Sequence, residues 1–591
     1  MGILQTAYRT YENHSDLAGI NKEGQREALT PIYHMLQNAD IEITIGDQGN
    51  FIRADLLEKN DRKAIIPCTI ESANRTSSPQ PHPLCDNLQY LNSENGARYE
   101  DYLAKLSAWA NSEFSHPKVA AVHRYIMNKT IIDDLIGAKI DISKADASKY
   151  FIIWRVEPSP EGIASQTRWD KTLFKCYEAY YESICKTKER DICMVSGEHD
   201  MVCETHAKGV VPINGNAKLL SANDSSGFTY RGRFTEANQA YNVGYLASQK
   251  AHNALRWIVA NQGVMIGGRT FICWNPNGRP VPKESIFGLP FEENLDYALY
   301  KKQLFQTISG LKNMLKETDD VVIAALDAAT TGRLAITYYN ELKASDFYER
   351  IENWYNSFLW NSGYKGMISP KIRDIVACAF GTQRGSFIEA DDRVLREHVQ
   401  RMLRCIIDMQ PIPEDIVRAL VTKASVPSAY NKNNYTLLLV TACAAVRKSR
   451  NNKLKREEWK LMLDASNEDR SYLFGRLLAI AERVENSTYD RSEDRDTNAI
   501  RMQTVFSQRP MYAWRIIEEK LTPYFARLTP GLRAYFKNEV AGIADKLPAQ
   551  DHTLNNRLED TYLLGYYHQR SEFYKKKEIK SEEENNEYTE K

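Results

Sequence analysis

The chain has no excess of charge, no closely paired cysteines and no long apolar run. Its 591 residues include 77 Lys and Arg and 77 Asp and Glu, which gives a formal net charge of zero. A protein that binds nucleic acid on its own is normally basic, so any such binding by this chain is expected to use local patches. Ten cysteines occur, and none of them forms a C-x-x-C pair. This pattern lacks a paired-thiol redox motif and indicates that the thiols are reduced.

Segments that would direct the chain to a membrane are also missing. The longest apolar run, Leu437 to Val446, is about half of a membrane span. The N-terminus lacks the basic and apolar regions of a signal peptide. These features predict a cytoplasmic protein with no membrane partner.

Motifs of the common enzyme classes are absent as well. The sequence contains no P-loop, no G-x-S-x-G, no H-E-x-x-H and no G-x-G-x-x-G motif. These motifs position nucleophiles, metals or phosphates in many enzymes. We therefore expect a protein without enzymatic activity, without a cofactor and without a bound metal.

What the sequence does contain is an unusual central segment, residues 207–253. It holds six Asn, five Gly and five Lys or Arg, interleaved with aromatic residues, and only Asp224 and Glu236 oppose the positive charge. Glycine lets a backbone approach a ligand closely, Asn can bond to a base edge, Arg and Lys meet phosphates, and aromatic rings stack on bases. The combination favours a nucleic-acid surface. The simpler alternative is a large polar loop layer over a mixed domain.

Hydrophobic patterns predict an α+β protein whose residues 1–393 form a mixed large domain with antiparallel hairpins. Ile41, Ile43 and Ile45 alternate with polar residues before a Gly-rich turn, as in a β-hairpin. A second hairpin is predicted from the buried strand patterns Val321 to Leu326 and Leu334 to Tyr338. A helix is expected over Gln239 to Asn261.

From about Val394 the pattern becomes helical, and an all-α antiparallel bundle is predicted over residues 394–574. Asn467 is the expected N-cap of one of its helices, since acidic residues and a helical apolar pattern follow it. Pro523 lies inside another helical pattern, where proline favours a kink or a split. The charge-rich tail, residues 575–591, is predicted to be disordered.

Five strings of the sequence occur in the order known from one protein family. They are the hairpin from Ile43 to Phe51 with the loop NRTSSPQPHPLCDNLQYL (Asn74 to Leu91), the block VSGEHDMVCETHAKGVVPINGNAKLLSANDSSGFTYRG with NQAYNVGYLASQKAHNAL, the strand Phe271 to Trp274, SYLFGRLLAIAE (Ser471 to Glu482) and LLGYYHQR (Leu563 to Arg570). The chain resembles the large subunit of the type I-C CRISPR surveillance complex (Cascade), the Cas-eight-c or Csd-one family. It departs from the family at Ala222-Asn223, which replaces Phe-Asn, and at Tyr230-Arg231-Gly232, which replaces Ser-Tyr-Gly.

The resemblance implies a function other than catalysis. Similar proteins lie at one end of a complex that carries the CRISPR RNA (crRNA). They check a short protospacer-adjacent motif (PAM) in duplex DNA, help to open the duplex and hold the displaced strand, while pairing with the guide reads the sequence. The expected partners are crRNA, target double-stranded DNA, the backbone and crRNA-processing subunits of Cascade, a small subunit and a helicase-nuclease.

The resemblance also implies that the C-terminal helical region is made separately as the small subunit, from an internal start codon. Glu457 and Glu458 must be encoded by a purine-rich tract shortly before Met462, where a ribosome-binding site would lie. We therefore expect residues 462–591 as a second product. Met502 is the rival start, but it would remove the helix that carries SYLFGRLLAIAE.

The first candidates for DNA contact form one short polar loop. Its residues are Asn74, Arg75, Thr76, Ser77 and Ser78. Small hydroxyl and amide side chains suit a narrow groove, and Arg75 suits a phosphate or a base edge. With the resemblance, this loop is the predicted PAM reader, and an ordinary surface loop is the alternative.

Two further groups are candidates for backbone or groove contacts. In the central segment they are Lys208, Lys218, Asn223, Arg231, Arg233, Asn238 and Asn242, and in the most basic run of the chain they are Lys448, Arg450 and Lys453. The cationic residues suit phosphates, and each Asn suits either a groove edge or an Asx turn. The basic run is equally well explained as a solvated loop between helices.

Phe228 or Tyr230 suits a wedge between bases, although burial in the core is the simpler expectation for both.

Four residues suggest a metal site by their types. Cys185, Cys193, Cys203 and His206 have the spacing C-x7-C-x9-C-x2-H. Structural zinc sites prefer pairs two to four residues apart, and only Cys203 and His206 satisfy that spacing. Buried thiols and a hydrogen-bonded His are therefore expected here. The alternative function is a cytoplasmic metal-dependent enzyme that uses Cys193, Cys203 and His206.

Overall fold

The chain divides into two compact units that interleave along the sequence. The computed structural model describes residues 2–75, 80–144, 146–221, 226–228, 230–281, 284–289, 291, 292, 294–328, 330–363, 366–453, 458–490 and 495–573. Unit 1 comprises Met1–Met265, Arg269–Pro280 and Asp320–Glu341, and unit 2 comprises Ile266–Gly268, Val281–Asp319 and Leu342–Lys591. The domain boundary after residue 393 stays a prediction, as does the tail 575–591, which lies outside the described residues.

Unit 1 contains both kinds of regular structure. Its helices are α1 (Ile3–Glu12), α2 (Ile70–Asn74), α3 (Leu88–Leu91), α4 (Ala97–Ala110), α5 (Pro117–Met127), α6 (Ile131–Gly137), α7 (Lys171–Cys185), α8 (Ala237–Ala240) and α9 (Tyr245–Gln262). Its strands are β1 (His34–Asn38), β2 (Ile41–Gly46), β3 (Phe51–Leu56), β4 (Lys63–Pro67), β5 (Asp86–Asn87), β6 (Phe151–Glu157), β7 (Arg190–Ile192), β8 (His199–Met201), β9 (Val264–Ile266), β10 (Arg269–Trp274), β11 (Asp320–Asp327) and β12 (Ala335–Lys343).

The first sheet of unit 1 has the strand order β3-β2-β6-β5. Strand β2 pairs antiparallel with β3 and parallel with β6, so the predicted hairpin is confirmed. Gly49 forms its turn at a φ of +83°, a conformation that glycine adopts without steric cost. The strand is buried at Ile41, Ile43 and Ile45, which supplies part of the main core of the unit.

The second sheet has the order β12-β11-β10-β9, so β11 and β12 are neighbours as the second predicted hairpin requires. Its core is completed by α1 and α9, which pack against each other. The helix expected over Gln239 to Asn261 is interrupted between α8 and α9. The cause is a cap: the Asp200 carboxylate accepts from the amide of Ala247 at 2.9 Å, and Gly244 lies so close to Asp200 that no side chain fits there. Helix α9 therefore begins anew after Gly244.

Unit 2 is mostly helical. Its helices are α10 (Glu284–Phe287), α11 (Tyr297–Met314), α12 (Ala344–Ser357), α13 (Ile372–Phe380), α14 (Asp392–Ile407), α15 (Glu414–Ala424), α16 (Lys432–Lys453), α17 (Arg470–Asn486), α18 (Asn498–Gln508), α19 (Pro510–Arg527) and α20 (Pro530–Ala544), followed by helical residues 562–573. Its strands are β13 (Trp360–Asn361), β14 (Met367–Ile368), β15 (Thr382–Arg384) and β16 (Phe387–Glu389), which form two small hairpins.

Two local predictions for unit 2 are corrected. The N-cap of helix α17 is Asp469, two residues after the proposed cap, because the Asp469 carboxylate accepts from the amide of Tyr472 at 2.8 Å. Asn467 accepts from the amide of Asp469 and so shapes the approach to the helix. Helix α19 is not split at Pro523. The proline is exposed and lies in the last turns of the helix.

The predicted fold class, α+β with antiparallel hairpins and a helical C-terminal part, is confirmed. In the described residues after Val394 every regular element is helical. No helix among the described residues is both long enough and apolar enough to cross a membrane.

Candidate nucleic-acid interface

The described residues on either side of positions 76–79, within and beyond the predicted PAM-reading loop, meet at an ion pair between Arg75 and the buried Asp86. Arg75 donates two hydrogen bonds of 2.7 Å to the two carboxylate oxygens of Asp86 and one of 3.0 Å to the carbonyl of Gln80. Asp86 is fully buried, and it also accepts from the amides of His82 and Asn87 at 2.7 Å. The residues on both sides of the segment 76–79 are thus tied to one carboxylate.

The electrostatics of this clamp favour a charged arginine. Burial alone lowers the pKa of Arg75, but the hydrogen bonds and the charge of Asp86 outweigh it, and the pKa is raised above its ordinary value. The guanidinium also lies 4.9 Å from the ring centroid of Tyr90, a cation–π contact. Arg75 is therefore committed to an internal pair, which argues against it as a free base-reading side chain.

A second cation at this loop was not predicted from the sequence. Lys105, on α4, donates to the side-chain oxygen of Gln80 and to the carbonyl of Pro81, both at 3.2 Å. Burial lowers its pKa. Asn74 donates to the carbonyl of Ile70 at 3.0 Å, while its buried Oδ1 has no partner among the described residues. Thr76, Ser77 and Ser78 lie outside the described residues, so base reading by this loop stays a prediction.

Unit 1 brings three cations together on neighbouring backbone segments. Lys208 and Lys218 are opposite each other in an antiparallel bridge, and Lys218 is paired in a parallel bridge with Arg333. The amide of Lys218 donates to the carbonyl of Gly332 at 3.1 Å, and the amide of Leu334 donates to the carbonyl of Lys218 at 2.9 Å. We call Lys208, Lys218 and Arg333 the cation ladder.

Within the described ranges of the chain, the charges of the cation ladder have no ion-pair partner. Paired residues on adjacent strands project from the same face, where like charges repel. Burial lowers the pKa of Lys218, and the charge of Lys208 lowers it further. An anion placed on this face would relieve the repulsion. Arg333 was not predicted from the sequence, because it is distant from Lys208 and Lys218 in the chain.

Helix α9 positions the backbone segment that contains Lys208. Arg256 donates to the backbone carbonyls of Lys208 and Gly209. Two residues before Lys208, His206 is hydrogen-bonded to Ser248 of α9 at 2.8 Å and to the hydroxyl of Tyr241 at 2.9 Å. Burial lowers the pKa of His206 to about 3, so it is a neutral structural side chain at physiological pH.

The same contacts bear on the metal-enzyme alternative. Both ring nitrogens of His206 are engaged, Cys193 accepts from the amide of Gly244 at 3.3 Å, and Cys203 contacts the carbonyl of Thr205 at 3.0 Å. Among the described residues no three His, Cys, Asp or Glu side chains group closely enough to hold a metal ion. A metal-dependent enzyme is therefore not favoured.

The other candidates of the central segment differ in exposure. Arg231, Arg233 and Asn238 are exposed, whereas Asn242 is buried and donates to the carbonyl of Ile192 at 2.9 Å. Asn242 therefore shapes the fold and does not face a groove in this structure, and Asn223 lies outside the described residues. The expectation of burial for Phe228 is wrong, since 91% of its surface is exposed.

The basic run Arg447 to Arg456 does not begin as the open loop that its composition suggests. Helix α16 extends into it, and Lys448 is buried on that helix, hydrogen-bonded to Ser357 with its ammonium 5.1 Å from the ring of Trp354. Arg450 pairs with Asp560 and with Glu559, the latter at 2.9 Å. Lys448 is thus buried within unit 2, whereas Arg450 keeps 28% of its side chain exposed and is engaged in an ion pair. The side chain of Lys453 is not among those that the structure describes.

The burial of Lys448 leads to a testable pH dependence. Burial lowers the pKa of Lys448 to about 8, so the folded protein loses this proton at a lower pH than the unfolded chain. The penalty for the buried charge is complete below about pH 8 and is relieved as the pH rises toward the ordinary value of lysine. Lys448→Met is expected to stabilise unit 2 at pH 7, by up to about 3 kcal/mol. The advantage should shrink at pH 9.5. Denaturant unfolding of both proteins at the two pH values tests this, and an advantage that is independent of pH would contradict it.

Comparison with known proteins gives the class of this molecule. Residues 8–574 match a family model of CRISPR-associated proteins. The matching family is the CRISPR-associated protein (Cas_Csd1) family, and the chain belongs to it. This confirms the resemblance carried by the five strings and supports a type I-C Cascade large subunit. No curated protein matches the chain.

Proposed function

We propose that this CRISPR-associated chain is a non-enzymatic, cytoplasmic subunit that recognises the PAM in target double-stranded DNA and aids opening of the duplex. In the same complex it holds the non-target strand and recruits the helicase-nuclease. Its partners are crRNA, target DNA, the backbone and crRNA-processing subunits and a small subunit. The observation that carries the proposal is the cation ladder Lys208, Lys218 and Arg333, because three unneutralised cations on one face suit a phosphate backbone.

The separate small subunit is part of this proposal. Met462 is 59% exposed and lies between α16 and α17. A product that starts there retains α17, α18, α19, α20 and the helical residues 562–573. Met502, in contrast, lies inside α18 and would remove α17 entirely.

The ladder makes a quantitative prediction about salt. Each phosphate that a cation neutralises releases counterions, which gives a slope of about −0.9 in a plot of log affinity against log salt concentration. Replacing all three ladder residues with alanine should reduce the slope for target DNA by up to about 3 and weaken binding about 100-fold near 0.1 M salt. Target-DNA binding by the reconstituted complex over a salt series measures both quantities.

The control carries the same loss of charge at unrelated places in unit 1. Lys144, Lys149 and Lys186 are exposed and are paired with Asp141, Asp146 and Glu182. Their triple alanine variant should keep the slope and the affinity of the wild type. An equal effect of the two triple variants would show that overall charge, and not the ladder, governs binding.

A further inference from the structure

Unit 2 contains a small hairpin, β15–β16, with a two-residue turn at its tip. Arg384 and Phe387 are opposite each other in its antiparallel register, and Gly385 and Ser386 connect them. Gly385 has a φ of +56°, in the left-handed region that tight hairpin turns require and that glycine adopts readily. The β15–β16 hairpin therefore ends in a tight turn that contains a glycine.

One face of the hairpin is anchored to the rest of unit 2. Gln383 accepts from the amide of Asn431 at 2.7 Å and from the side-chain amide of Asn434 at 3.3 Å. The carbonyl of Gly381, at the base, accepts from Lys423. Because side chains alternate along a strand, these contacts hold the Gln383 face inward and leave the Arg384 face outward.

The outward face exposes an aromatic ring beside a cation. Phe387 is 70% exposed and thus contributes little to the core. Arg384 is exposed and has no carboxylate within 4 Å in the described residues. Glu389 lies on the same face but toward the base, opposite Thr382, so the positive end of this face is the tip.

We propose that the tip of this hairpin binds single-stranded nucleic acid. The ring of Phe387 stacks on an unpaired base, and the guanidinium of Arg384 contacts a phosphate of the same strand. An aromatic platform with an adjacent cation is the arrangement that proteins use for single strands without sequence preference. This proposal rests on the proposed function for one point, that the partner is a nucleic acid. The residues that carry it are separate, since the hairpin is in unit 2 and the cation ladder is in unit 1.

A protein partner is the less suitable occupant of this tip. Stable protein–protein interfaces bury about 800 Å² on each partner, whereas the feature consists of one ring and one guanidinium. Stacking on a base needs only the face of a ring. The distinction is testable, because an apolar protein contact tolerates leucine in place of phenylalanine and base stacking does not.

The experiment uses the full-length chain and a fluorescent oligothymidylate of about 16 nucleotides, with one 5-iodouracil for photocrosslinking. The wild type should crosslink at Phe387. Phe387→Ala and Phe387→Leu should both weaken binding about 5- to 50-fold and abolish that crosslink. Arg384→Ala should weaken binding and reduce the salt slope by about 1. The matched control is Phe305→Ala, since Phe305 of α11 is 67% exposed in the same unit, and it should bind as the wild type does.

The outcomes separate this proposal from the function proposed above. If the Phe387 variants bind the oligonucleotide normally while the ladder variant loses duplex affinity, the hairpin proposal is overturned and the function stands. If Phe387→Leu retains affinity that Phe387→Ala loses, the contact is apolar and not a base stack, which also overturns it. Loss in both Phe387 variants with a crosslink at the wild-type ring supports the proposal, whatever the ladder variant does.

Discussion

Replacing Gly565 with alanine is expected to destabilise unit 2 by about 3 kcal/mol or more. Gly565 lies in the helical residues 562–573, where an added Cβ would overlap the carbonyl oxygen of Tyr472 on α17. The contact is reciprocal, since a Cβ on Gly475 of α17 would overlap the carbonyl of Tyr562 and lie 2.7 Å from the amide nitrogen of Tyr566. Both clashes involve backbone atoms, so no rotation of a side chain relieves them and the helices must separate.

Separation of these helices would also break polar contacts that cross between them. The hydroxyl of Tyr472 bonds to His568 at 3.0 Å, and Arg476 donates to Gln569 at 2.8 Å. We expect the thermal midpoint of unit 2 to fall by about 6 °C or more, measured by calorimetry of the full-length chain. Gly475→Ala should act in the same direction.

Gly542→Ala is the matched control for this prediction. Gly542 is in α20, and a Cβ placed there meets no atom within 4 Å. Alanine should therefore leave the midpoint unchanged or raise stability by up to about 1 kcal/mol through its helix propensity. A Gly565→Ala protein that melts like the wild type would show that the two helices do not approach this closely.

The second large effect is expected at Asp86. Asp86→Ala should cost about 3–5 kcal/mol, because it leaves the largely buried charge of Arg75 without its carboxylate and leaves the amides of His82 and Asn87 without their acceptor. Binding of PAM-containing DNA by the complex should fall as well, since the base of the loop 76–79 opens. Unfolding experiments and DNA binding below the unfolding transition measure the two effects separately.

An exposed ion pair provides the control for Asp86. Asp55 pairs with Arg53 at 2.9 Å, and both side chains are 53% exposed. Asp55→Ala should cost less than about 1 kcal/mol, because exposed pairs contribute little. Equal losses for Asp55→Ala and Asp86→Ala would contradict the role of Asp86 as a buried clamp.

The clamp also changes how the loop should be tested for DNA contact. Arg75→Ala alone cannot distinguish a lost DNA contact from a lost clamp, because Arg75 holds Asp86. Joint replacement of Thr76, Ser77 and Ser78 with alanine leaves Arg75 and Asp86 intact. A relaxed PAM preference in that variant, with an unchanged thermal midpoint, would support base reading by the loop.

Local patterns were sufficient for much of the fold. The alternation of Ile41, Ile43 and Ile45 before a glycine turn correctly predicted the β2–β3 hairpin, since period-two alternation and turn chemistry are properties of neighbouring residues. The strings that contain Gly475 and Gly565 indicated the family for the same reason: each is a short local pattern. Their common physical basis, a close helix crossing, is visible only when the two helices are placed together.

Local patterns were misleading where burial depends on distant segments. Lys448 lies in the most basic run of the chain, yet α16 buries it against Trp354 and Ser357. Asn242 is of a residue type that suits a groove contact, but its side chain donates to the carbonyl of Ile192. Phe228 is of a residue type that is usually buried in a core, but it is exposed. For Lys448 and Asn242 the decisive neighbour is remote in the sequence and leaves no local signal.

The sequence by itself determined the fold class, the hairpins, the family and the segments that are rich in nucleic-acid-binding residue types. Only the tertiary structure decided which of those residues act together. It joined Arg333 to Lys208 and Lys218, and it paired Arg75 with Asp86. The reason is physical: composition and periodicity act between neighbours in the chain, whereas charge repulsion, burial and ion pairing depend on distances in space.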